Sequence, residues 1–102
     1  MSQPDAFQAL AEAERLLVRA ETDPSAARDA ARSALRSLLF AWGQSPRGDS
    51  VEGLLDQAAE TDSTLADFHS EAEVLDRFNP EPDAVERAKI FVDAARARMA
   101  NI

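Results

Sequence analysis

The sequence predicts an all-α fold, an antiparallel up-and-down bundle of four to five helices forming one domain over residues 1–102. Three observations carry that expectation. Apolar residues recur every three or four positions along five stretches, the spacing that gathers them on one helix face. Alanine and leucine dominate and β-branched residues are few, which favours helix over strand. Between the stretches stand short runs rich in proline, glycine, asparagine and aspartate, which stop and restart helices.

The first helix is expected from about Asp5 to Glu21, with Phe7, Leu10, Ala13, Leu17 and Ala20 on one stripe and Leu16 and Val18 widening it. The second starts where Asp23 can accept from free amides and Pro24 suits the first helical position. Ala27, Ala31, Ala34, Leu35, Leu38, Leu39 and Trp42 form its broad apolar face, and Gly43 is a natural stop. The residues Gln44 to Gly48 read as a loop. Asp49 and Glu52 then have the spacing of a capping box that opens a third helix, Ser50 to about Glu60. That helix would bury Val51, Leu54, Leu55 and Ala58.

The fourth helix is expected from Ser63 to Arg77, with Leu65, Phe68, Ala72, Leu75 and Phe78 on one face. Asn79 to Pro82 breaks the chain. Asp83 and Glu86 give a second capping-box pattern for a last helix that ends near Met99. Its stripe is Ala84, Ala88, Phe91, Val92, Ala95 and Met99. Short connections favour antiparallel neighbours.

Composition excludes several function classes. With 45% apolar and 29% charged residues, the balance is that of a globular domain. The net charge of −8 disfavours broad electrostatic capture of duplex nucleic acid. The absence of cysteine removes disulfides, zinc–thiolate sites and thiol catalysis. The longest apolar run, Leu38 to Trp42, is far short of a membrane span. Met1 to Glu12 lacks the basic start and apolar run of a signal peptide, so a cytoplasmic location is expected.

The most pointed candidate feature is Arg28, Arg32 and Arg36, which recur every four residues on one side of the second helix. They could form a cationic ridge for a phosphate or an acidic partner helix, or a solvated face paired with carboxylates such as Asp29. Phe40, beside Arg36 and Ser37 and off the apolar face, needs cover, which makes these three residues the candidate dimer interface. His69 has no Glu-x-x-His partner, since residue 66 is alanine, so no metal ligand set is assigned. Nor does this imidazole have a recognisable nucleophile motif. Trp42 reads as the seal at one end of the core. Arg47-Gly48-Asp49 spells an adhesion tripeptide by chance. No glycine-rich phosphate loop exists, and no cofactor is called for.

Taken in order, the pieces resemble a known family. They are Ala26-Ala27-Arg28 to Leu38-Leu39, a loop, then Asp49-Ser50-Val51-Glu52-Gly53-Leu54-Leu55. Leu75-Asp76-Arg77-Phe78, a proline-containing break and Ala84-Val85-Glu86 follow. Over nearly the whole chain this order resembles the HEPN family of small helical bundles. The resemblance implies a homodimeric bundle from a prokaryote, often paired with a minimal nucleotidyltransferase in toxin–antitoxin-like modules. Some members are ribonucleases with an arginine, four to six variable residues and then a histidine. Here Asp62, Ser63 and Thr64 occupy the positions from which an arginine would serve His69, and the chain has no tyrosine. The Arg-Tyr-Pro-Asp-like turn of the non-nuclease branch is replaced by Asn79-Pro80-Glu81-Pro82-Asp83, which keeps only the proline and the acid.

The expectation is therefore a non-catalytic HEPN-like binding module that forms homodimers and binds a nucleotide or a nucleotidyltransferase-type partner. Arg28, Arg32 and Arg36 are its candidate charge contacts, with Arg77 a further one. The alternatives are a divergent ribonuclease using His69 and a purely structural helical adaptor.

Overall fold

A computed structural model describes the backbone of residues 3–77 and 83–100, with side chains from Asp5 onward. The expected Asn79–Pro82 break and the expected burial of Phe78 lie outside these residues. The described residues are all-helical, with no strand among them. The helices are α1 (Gln3–Ala20), α2 (Ser25–Ala41), α3 (Val51–Thr61), α4 (His69–Leu75) and α5 (Ala84–Met99). A 3-10 segment, Ser63–Phe68, leads into α4.

The hub of the bundle is α2, which packs most extensively on α1, then on α5 and α3. Ala27, Ala30, Ala31 and Ala34 are fully buried, and their small side chains let the neighbouring helices approach closely. Leu35, Leu38 and Leu39 of α2, Val51, Leu54 and Leu55 of α3, Leu65, and Phe91 and Val92 of α5 fill the remaining core. The Phe91 ring meets Phe68 edge-on, with centroids 6.0 Å apart. The buried side chains of Ser33, Ser37 and Gln57 are satisfied within the chain, whereas the buried Arg32 Nε has no hydrogen-bond partner. The Ser33 hydroxyl donates across to the Ala9 carbonyl at 2.8 Å, and Ser37 donates to Ala34 at 2.6 Å.

The ends of α2 follow the expected chemistry. Asp23 Oδ1 accepts from the Ser25 amide at 3.3 Å and from the Ser25 hydroxyl at 2.6 Å. Gly43 adopts φ +73°, and the Gly43 and Gln44 amides donate to Phe40 and Leu39 at 3.0 and 2.8 Å. This paired arrangement closes the last turn of α2.

Three local expectations are corrected. The cap of α3 is Ser50, whose side chain accepts from the Gly53 amide at 2.9 Å; Asp49 lies one residue too early and turns to the arginines of α2. The Val51 and Glu52 amides are held instead by Asp76, at the end of α4, each at 2.9 Å. At α5 the Asp83–Glu86 capping box does not form, because Asp83 binds Arg87, with Nη2 at 2.9 Å. The single helix expected over Ser63–Arg77 is split: Asp62 accepts from Thr64 and starts a tight 3-10 turn before α4 begins.

One leg of the bundle departs from simple alternation. Asp49, just before α3, lies against Arg32 and Arg36 in mid-α2, while Gln44 at the end of α2 bonds Thr61 at the end of α3. Residues 42–50 thus run back along α2, and α3 points the same way as α2. Gln57, almost fully buried, fixes that return. Its carbonyl accepts from the Arg47 amide at 2.8 Å and its amide donates to the Ser45 carbonyl at 2.9 Å.

Candidate functional site

The arginine ridge of α2 is largely spent on the chain itself. Arg32 reaches Asp29 at 3.2 Å and also Asp49. Arg36 reaches the same Asp49 oxygen at 2.6 Å. The Arg32 hydrogen bond, reinforced by the charges of Arg32, Arg36 and Arg28, holds the Asp49 carboxyl below its usual range. These contacts pin the returning loop to α2. Arg32 and Arg36 also border a groove against Glu12 and Leu16 of α1.

Arg28 and Arg77 have a different setting. Both line a cleft of about 260 Å³ between the start of α2, the end of α4 and the start of α5, with Pro24, Ser25, Val74 and Ala84. Arg28 is about half exposed, and its Nε lies 3.4 Å from Asp76 Oδ1. Asp76 is already engaged by two amides, and a guanidinium carries five donors, so Arg28 keeps donors for a ligand. Asp29 lines the cleft too, with its charge offset by Arg32.

The three residues expected at a dimer interface are not equivalent. Ser37 is fully buried in the chain's own core and presents no surface. Arg36 is half-buried in its pair with Asp49. Phe40 is half-buried against the core and forms one wall of a shallow groove with Gln8, Ala9 and Glu12 of α1. The large apolar side chains most exposed among the described residues are Phe7, expected in the core stripe of α1, and Val18, expected to widen it. They fall outside it because α1 packs on one side only, and its alanines and Leu10 already fill that contact.

His69 opens α4 and is exposed, with its Nε2 3.9 Å from Glu52 Oε1. A carboxylate oxygen of Glu52, one of Glu73 and a ring nitrogen of His69 all lie within 4.8 Å of one another. Sequence reasoning missed Glu73, although the spacing of four from His69 was legible. Glu52 could not be found that way, because only the reversed leg of the chain brings α3 beside α4. Arg47 pairs with Glu60 at 2.7 Å and Asp49 with the α2 arginines, so the two charged ends of the tripeptide have separate structural partners. Trp42 packs, half-buried, against the edge of the core.

Among the described residues no helix is long and apolar enough to cross a membrane. No family model, curated protein or solved structure matches the chain.

Proposed function

We propose that the protein is a non-catalytic helical binding module, of the HEPN-like kind its sequence resembles, that takes a phosphate-bearing ligand in the cleft beside α2. The observation that carries this reading is the convergence of Arg28 and Arg77 on one concave site. Guanidinium groups match phosphate oxygens bidentately, and a cleft recovers more of their strength than an open face does. At about 260 Å³ the cleft is near the lower limit for small-molecule sites, so it fits a phosphoryl group and part of a nucleoside. The lack of an arginine at the spacing that would serve His69 supports a binding role over phosphodiester cleavage. Self-association and a nucleotidyltransferase partner belong to the same proposal, with Phe40, Phe7 and Val18 as the apolar surface available.

Calorimetric titration with adenosine monophosphate and with inorganic phosphate tests the ligand. Saturable binding is expected in the wild type and in Arg47→Ala, and its loss in Arg28→Ala and Arg77→Ala. Heats that stay flat at millimolar ligand, or that survive both substitutions, overturn the reading.

A further inference from the structure

We propose that Glu52, His69 and Glu73 form a surface site for a divalent transition-metal ion of the zinc class. The ligating atoms of the three side chains all lie within 4.8 Å of one another. Donors around a tetrahedral zinc stand about 3.4 Å apart when each bond is about 2.1 Å, so closure takes a change of roughly an ångström. Glutamate reaches that by side-chain rotation alone.

Two features make this more than a chance meeting of exposed groups. The backbones that carry the ligands are fixed. Glu52 sits in the first turn of α3, which is held by the Ser50 cap and by both oxygens of Asp76. His69 and Glu73 are one helical turn apart, so they project from the same side of α4, whose other side buries Ala72 and Leu75. The charge is also uncompensated. Among the described residues no arginine or lysine lies within 4 Å of the Glu52 or Glu73 carboxylate, whereas the acids of α2 and of its returning loop have arginine partners. One neutral imidazole and two carboxylates offer a divalent ion a balanced charge and leave a coordination position for water. The nitrogen donor selects zinc, nickel or copper over magnesium.

The site is separate from the Arg28–Arg77 cleft, and its test does not depend on that reading. Chelator-treated, untagged protein is titrated with zinc in phosphate-free buffer while melting and the ring resonances of His69, the only histidine, are followed. One equivalent is expected to bind, shift those resonances and raise Tm, with reversal by EDTA and no effect of magnesium. His69→Ala and Glu73→Gln should each weaken binding by at least about tenfold, a loss that even outer-shell partners of metal ligands bring. Glu71→Gln, on another side of α4, should leave it intact. Zinc binding that survives His69→Ala, magnesium competing equally, or no saturation at all overturns the proposal.

Discussion

Asp76 ends α4, yet its carboxylate serves α3: it accepts from the Val51 and Glu52 amides and faces Arg28. A cap supplied from another element ties two helices together where a local cap ties none. Asp76→Ala leaves two half-buried amides unsatisfied, each costing about 1–3 kcal/mol, whereas Ser50→Ala removes one local cap at about 1 kcal/mol. Urea denaturation should therefore rank Asp76→Ala as the more damaging. Equal losses would mean that Asp76 adds nothing beyond a local cap.

Asp49 shows the electrostatic side of the same scale. Its folded carboxyl titrates below the ordinary value of 3.8, chiefly through the Arg32 hydrogen bond. Asp62 is lowered likewise by Thr64 and then Arg98. A lowered folded value means that the stability these pairs supply is full above about pH 3.8 and is lost as pH falls through the folded value. In a carboxyl-detected NMR titration, Arg32→Ala should move the Asp49 midpoint up toward 3.8. An unmoved midpoint would detach Asp49 from the ridge. Asp49 was legible as an acid near a helix start, but its partners were not. Arg32 and Arg36 lie well before it in sequence, and only the backward run of residues 42–50 brings them together.

At the scale of elements, α2 was the most legible, because its apolar stripe is long and its stop is specific. Gly43 illustrates why. Its φ of +73° lies where a Cβ is penalised, and nothing stands within 4 Å of the position such an atom would take. Gly43→Ala should thus cost about 1–2 kcal/mol through the backbone alone. Gly48→Ala, with ordinary contacts and no positive φ, should stay within about 0.5 kcal/mol. Chemical denaturation of the pair measures the difference, and equal effects would contradict the left-handed stop. Less legible were the elements whose ends depend on distant groups. The fourth expected helix opens, just after Asp62, as a capped 3-10 turn that gives way to α4 only at His69, a change of winding that the apolar spacing did not reveal. Gln57 carried no sequence signal of its own, yet it is the anchor of the returning loop.

For the molecule as a whole, the all-α bundle was legible because one face per helix is apolar and must be covered. The central place of α2 was less so. Its stripe was read as one-sided, but Ala26 and Ala30 are buried as well, since α1, α3 and α5 all contact this helix. Phe91 of α5 is fully buried in the shared core, with its ring against Phe68 of the 3-10 segment. Phe91→Ala should cost about 3–5 kcal/mol, a large share of the roughly 5–15 kcal/mol that holds a small domain together. A calorimetric melt reads this as a steep fall in Tm, and a fall of only a degree or two would place Phe91 outside the cooperative core. Of the candidate site, the arginines were legible by spacing but their division was not. Arg32 and Arg36 fasten the loop, while Arg28 and Arg77 meet at the cleft only once α4 and α5 are folded against the start of α2.

Backbone amide mapping by NMR during addition of adenosine monophosphate tests the central claim most directly. Shifts concentrated at Ser25, Arg28, Val74, Arg77 and Ala84, growing to saturation, are the predicted result. Shifts confined to the Arg32–Arg36 face, or none at millimolar nucleotide, would contradict the assignment of the cleft as the binding site.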